Sequence, residues 1–228
     1  MSILPFTLLG FGFLLGIKHA LDADHIAAIS TMISKDRTIK EASLLGMFWG
    51  LGHTIALLAI GLVILLLKIS IPEKLALSFE LIVGIMLLIL GINLAIQIVK
   101  DKVHIHRHKH GTNSHLHFHS HKYIRYHHNH THKSLYIGIL HGLAGSAVLS
   151  LLVLSTINSI WLGLLYILIF GAGSILGMML ISSIISIPFT LIPARLENTK
   201  NALKAFSALI SIFLGLSIIY KIGLGGLL

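Results

Sequence analysis

At 228 residues, with 55% hydrophobic and 11% charged side chains, the chain is too apolar for an ordinary soluble domain. The net charge of +9 does not argue for nucleic acid, because the Lys and Arg lie in short stretches between apolar runs, and the absence of cysteine removes thiolate metal sites and disulfides. What is left is an integral membrane protein acting within the lipid bilayer, since its one long polar stretch is too small for a separate soluble enzyme.

The apolar runs predict an all-α, polytopic fold of six transmembrane helices, at about 3–33, 42–67, 75–99, 135–157, 160–192 and 202–224. The first and fifth runs exceed the roughly 20 residues that cross a bilayer and are expected to tilt, kink or break. Gly10, Gly12 and Gly16 offer flexibility in the first, and Pro188 and Pro193 limit the fifth. No basic region precedes the first run and no small-residue cleavage site follows it, so a cleaved signal peptide is not expected. Placing the 35–40, 100–134 and 194–204 loops on one side gathers most of the Lys and Arg there. By the positive-inside rule that side is cytoplasmic and both termini face out, in a cell membrane.

The centre of the first run is polar. Lys18-His19-Ala20-Leu21-Asp22-Ala23-Asp24-His25-Ile26 sets two imidazoles and two carboxylates where an ionisable group is expensive, so the cluster reads as a site. On a continuous helix His19, Asp22 and His25 fall within an arc of roughly 120°, while Asp24 points away towards a neighbouring helix or a kinked backbone. Imidazole plus carboxylate suits a borderline divalent ion such as Ni²⁺, Co²⁺ or Zn²⁺. The competing reading is polar packing between helices.

Further along, His53 ends Trp49-Gly50-Leu51-Gly52-His53, where small residues permit close helix approach, and it reads equally as a ligand or as packing. Glu80 reads as interfacial. Asn93 and Gln97 share one helix face and suit interhelical hydrogen bonds. Residues 104–132 hold twelve of the 16 His, a compositional metal-binding tract expected to be disordered, at which a metallochaperone is the partner to look for. His141 carries the same two readings as His53. Met178, Met179, Ser182, Ser183 and Ser186 read as packing.

An internal repeat ties these positions together. Gly16-Ile17-Lys18-His19-Ala20-Leu21 returns as Gly138-Ile139-Leu140-His141-Gly142-Leu143, Trp49-Gly50-Leu51-Gly52-His53 as Phe170-Gly171-Ala172-Gly173-Ser174, and Leu90-Gly91-Ile92 as Leu214-Gly215-Leu216. Units of three spans must point oppositely, which is the inverted-repeat plan of many transporters, with the site near the midplane. The expected organisation is a first three-helix repeat over 1–100, a His-rich cytoplasmic loop over 101–134 and a second repeat over 135–228. Asp24 and His25 align with Ser146 and Ala147, so the site is asymmetric.

His19-Ala20-Leu21-Asp22-Ala23-Asp24-His25-Ile26 resembles the signature of the nickel/cobalt transporter (NiCoT) family, and Leu51-Gly52-His53-Thr54 resembles its second motif. The resemblance implies metal selectivity and transport carried by His19, Asp24, His25 and, less directly, Asp22 and His53. Typical members have eight spans and acidic later motifs that are absent here; the second half is more similar to the short UreH-like branch of urease accessory membrane proteins, themselves taken as nickel carriers. The expectation is a transporter of Ni²⁺, with Co²⁺ as second candidate, having His19, Asp22, Asp24, His25, His53 and His141 as metal residues and no resident cofactor. Uptake is favoured over efflux. The rivals are an accessory protein that hands nickel to an enzyme, and an intramembrane acyltransferase using the H-x-x-x-x-D spacing of His19 and Asp24, for which the chain offers no substrate domain.

Overall fold

The first apolar run folds as two helices. The structure, a computed structural model, describes residues 4–34, 38–69, 72–102, 106–110, 113–117, 130–143, 159–193 and 196–223. Within them α1 covers Leu4–His19 and α2 covers Ala23–Ile33. The interruption falls after the glycines rather than at them. Leu21 N–H bonds to the Lys18 carbonyl at 2.9 Å and Asp22 N–H to the His19 carbonyl at 3.0 Å, a tight turn that leaves these backbone groups paired. Asp22 then takes extended geometry (φ −62°, ψ 148°) as the N-cap of α2, a position that Asp favours over a helix interior. His19, Asp22 and His25 therefore do not lie along one continuous helix.

Four longer helices follow: α3 Ile39–Leu67, α4 Glu73–Lys102, α6 Ile160–Leu191 and α7 Glu197–Ile222, with the shorter α5, His130–Gly142, between them. These four are long and apolar enough to cross a membrane. A capping box starts α3, with Thr38 accepting from Glu41 N–H and Glu41 accepting from Thr38 N–H. Pro188 lies inside α6 rather than ending it; the helix runs three residues further and closes with Ile192 N–H on the Pro188 carbonyl, just before Pro193. A proline removes one N–H and can be carried in a membrane helix whose neighbours absorb the change. Residues 144–158, most of the expected fourth span, lie outside the described residues.

In the His-rich segment β1 (His106–His110) pairs antiparallel with β2 (Asn113–His117), His106 opposite His117 and His108 opposite His115. For these residues the expected disorder is replaced by a ladder, in keeping with their period-two alternation. The rest of 103–129 lies outside the described residues.

Helix α1 packs on α6, α5 on α3, and α4 on α7, while α2 touches α4, α6 and α7. Glycines set the closest approaches. A Cβ on Gly16 would strike the Phe170 carbonyl oxygen, and one on Gly173 the Phe13 carbonyl oxygen. At the α5/α3 contact the same pattern recurs: Gly138 faces the Trp49 carbonyl oxygen and Gly52 the Leu135 carbonyl oxygen. Backbone-to-backbone approach of this kind is what small residues permit in a bilayer, where apolar burial drives little association between helices.

Candidate metal site at the broken helix

At the break between α1 and α2, the four histidines outside the 104–132 tract come together. His19 ends α1, His25 lies in the first turn of α2, His53 sits mid-way along α3 and His141 near the end of α5. His25, His53 and His141 are fully buried and His19 nearly so. The His25 ring centroid is 4.1 Å from that of His141, 4.6 Å from His19 and 5.4 Å from His53.

The carboxylates orient these rings. Asp24, which a continuous helix would turn away, reaches across to α5: its Oδ2 accepts from His141 Nε2 at 3.2 Å. Its Oδ1 accepts from His25 Nδ1 at 3.0 Å and from the His25 backbone N–H at 2.9 Å. Asp22 accepts from His19 Nδ1 at 2.8 Å and keeps its carboxylate 41% exposed, so it meets the cluster from the edge. A carboxylate can only accept, so each of these nitrogens carries a proton, and in a neutral ring the other nitrogen then has the lone pair. Accordingly, His25 Nε2 and His141 Nδ1 are buried with no hydrogen-bond partner, and so is His53 Nδ1. His19 Nε2 lies 3.2 Å from His53 Nε2.

Both carboxylates also sit at the start of α2, Asp22 as N-cap and Asp24 in the first turn.

Two sets of three ligand atoms lie within 4.8 Å of one another: His19, His25 and His53, and Asp24, His25 and His141. Buried imidazole nitrogens beside a carboxylate offer a donor set suited to a divalent first-row metal. All six expected residues thus fall in or at the edge of one cluster. Asn93 and Glu80 are exposed on α4. Met178, Ser182 and Ser186 are buried, as expected of packing residues.

Two residues of the cluster had no role assigned from sequence. The Trp49 ring stands 5.4 Å from His25 and 5.3 Å from His141. The Phe170 ring lies 5.6 Å from His19. Each belongs to a different apolar cluster. The available signal was the repeat, in which Trp49 and Phe170 occupy equivalent positions just before Gly-x-Gly.

Residues 6–226 match a family, NicO, described as high-affinity nickel-transport protein. The chain is also 43% identical, over 217 residues, to "Urease accessory protein UreH" of Bacillus sp. (strain TB-90), covering 95% of this chain and 92% of that protein. No solved structure matches it.

Proposed function

Because the chain belongs to the NicO family of high-affinity nickel-transport proteins, a membrane transporter family and not an enzyme family, we propose that it carries Ni²⁺ inward across the cell membrane through the imidazole cluster. The single observation behind this reading is the convergence of His19, His25, His53 and His141, with Asp24 joining His25 to His141, at the interruption between α1 and α2. A transporter needs a site near the middle of the membrane where broken helices offer polar groups to an ion. The six residues proposed to hold or orient the ion are His19, His25, His53, His141, Asp24 and Asp22. Co²⁺ has similar ligand preferences and is proposed as a second substrate.

The proposed organisation is two inverted three-helix repeats, 1–100 and 135–228, joined by a cytoplasmic His-rich loop over 101–134, with both termini outside. The reciprocal packing of Gly16 against Phe170 and of Gly138 against Trp49 supports this plan, since repeat-related residues make repeat-related contacts. A negative-inside membrane potential favours inward movement of a dication by about 4.6 kcal/mol per 100 mV, at roughly 2.3 kcal/mol per charge. Uptake therefore requires no coupled ion. The loop then lowers free metal after entry and offers it to a metallochaperone.

The name of the relative favours a related reading, in which nickel brought in by this chain serves maturation of a nickel enzyme such as urease. Radiolabelled Ni²⁺ uptake in energised right-side-out and inverted vesicles tests the proposal. Accumulation in right-side-out vesicles that collapses with the membrane potential is expected. Accumulation only in inverted vesicles, driven by a proton gradient, would establish efflux instead.

A further inference from the structure

Among the described residues, two buried hydroxyls have no hydrogen-bond partner, Tyr166 Oη and Ser182 Oγ. Thr31, Ser34, Thr54, Ser174, Ser186 and Ser211 are also buried, but each donates its hydroxyl to a backbone carbonyl. Both unpaired groups stand on α6, and the contacts of that helix fix where they lie relative to the imidazoles. A Cβ on Gly12 of α1 would meet the Tyr166 ring and one on Gly16 the Phe170 carbonyl, so α1 runs parallel to α6. Thr54 of α3 meets Gly171, Gly50 meets Ile175, and a Cβ on Gly46 would meet Ser182 Oγ, so α3 runs antiparallel to both. Gly12 is seven residues before His19 and Gly46 seven before His53. Seven residues are two turns, so each hydroxyl is about 10 Å along the helix axis from the level of a cluster histidine. Because α1 and α3 run oppositely, the two hydroxyls flank the cluster from opposite sides.

We propose that these two hydroxyls mark the path of the divalent ion along α6, Tyr166 on the outer side of the imidazole cluster and Ser182 on the cytoplasmic side. This rests on the transport reading above and on its placement of both termini outside. A dication passing between membrane helices needs oxygen or nitrogen on either side of its site, because an uncompensated charge there is expensive. Packing asks for neither oxygen. A phenyl ring would cover Gly12 as well as a phenol does, and a methyl would fill the space beside Gly46. An unpaired buried hydroxyl lowers stability, and a buried Tyr ordinarily finds a partner. Each oxygen has two lone pairs to offer the ion or a water that it carries. Between them the i, i+4 row of α6 runs through Phe170, Ser174 and Met178, all buried, and Phe170 is the residue whose ring meets His19. One row of one helix therefore joins both hydroxyls to the cluster.

The test uses purified full-length protein and two substitutions that delete an oxygen and keep the packed carbons, Tyr166→Phe and Ser182→Ala. Initial Ni²⁺ uptake is measured in proteoliposomes, Ni²⁺ binding by equilibrium dialysis and Tm in detergent, with His25→Ala as the reference for binding outside the cluster. Each variant is expected to take up Ni²⁺ about tenfold more slowly, the scale of one hydrogen bond to a charged group. Its bound Ni²⁺ should equal that of the unaltered protein. Its Tm should be equal or higher, since an unpaired buried group has been removed. Unchanged uptake in either variant means that the oxygen is incidental to packing and overturns the proposal. So does a loss of uptake that comes with lost Ni²⁺ binding or a lowered Tm, which would give the hydroxyl a structural role. If the unaltered protein moves no Ni²⁺, or His25→Ala moves as much, it is the transport reading that fails, and the path falls with it.

Discussion

His141 Nε2 lies 3.2 Å from Asp24 Oδ2, a hydrogen bond across 117 residues that ties α5 to the first turn of α2. The same carboxylate holds His25 Nδ1 at 3.0 Å, so one acid sets the tautomers of two imidazoles from opposite halves of the chain. In the proposed site it would aim lone pairs as much as supply charge.

Asp24→Asn should therefore lower Ni²⁺ affinity and uptake by about ten- to a hundredfold, the usual range for loss of a carboxylate behind a histidine ligand. An amide has one acceptor oxygen and its NH₂ faces a ring N–H, so both bonds cannot be kept. Asp22→Asn should have a smaller effect, since Asp22 holds only His19 and is partly exposed. Uptake assays on membranes with matched protein levels check the order; equal losses would mean that Asp24 does not bridge the halves.

The glycine contacts predict a sign change. By helix propensity alone, Gly→Ala stabilises by about 1 kcal/mol. Gly10 has nothing within 4 Å of an added Cβ, so Gly10→Ala should be neutral or stabilising. At Gly16 and Gly138 the added methyl meets backbone carbonyls that cannot move alone, and Ala should destabilise by about 1–3 kcal/mol. Thermal melting in detergent would show Tm falling for Gly16→Ala and Gly138→Ala but not for Gly10→Ala.

Trp49 is fully buried against His25 and His141. Removing its ring opens a cavity beside both imidazoles, and losses of about 3–5 kcal/mol accompany such truncations in protein cores. Trp49→Ala is expected to reduce both Tm and uptake, and Trp49→Phe to recover most of each. Full uptake by Trp49→Ala would show that the ring does not hold the histidines in place.

Deleting 104–132 removes twelve imidazoles but none of the four in the proposed site. Initial uptake in vesicles should persist, while retention of nickel inside cells after external metal is withdrawn should fall. Loss of initial uptake with an intact protein level would mean that the loop takes part in the transport step rather than in the proposed trapping of metal.

Much of this was legible in the sequence because it depends on local chemistry. The apolar runs of α3, α4, α6 and α7 are long enough to read directly as membrane helices, and four ionisable groups within His19–His25 are too expensive in lipid to be incidental. Removing the twelve loop histidines from the 16 leaves His19, His25, His53 and His141, so the four imidazoles that the structure brings together were visible by type and place. Their arrangement was not. Helical periodicity assumes an unbroken helix; once Ala20–Asp22 turns and Asp22 caps α2, the angular relations among His19, Asp22, Asp24 and His25 no longer follow from their spacing. That Asp24 reaches His141 rather than facing away depends on how closely α5 approaches α3 at Gly138 and Gly52, and on the path of α2 among α4, α6 and α7. A sequence specifies which groups are costly to bury. Which of them meet is decided by interhelical distances, because hydrogen bonds and ligand shells form only over a few ångströms that no one-dimensional spacing encodes.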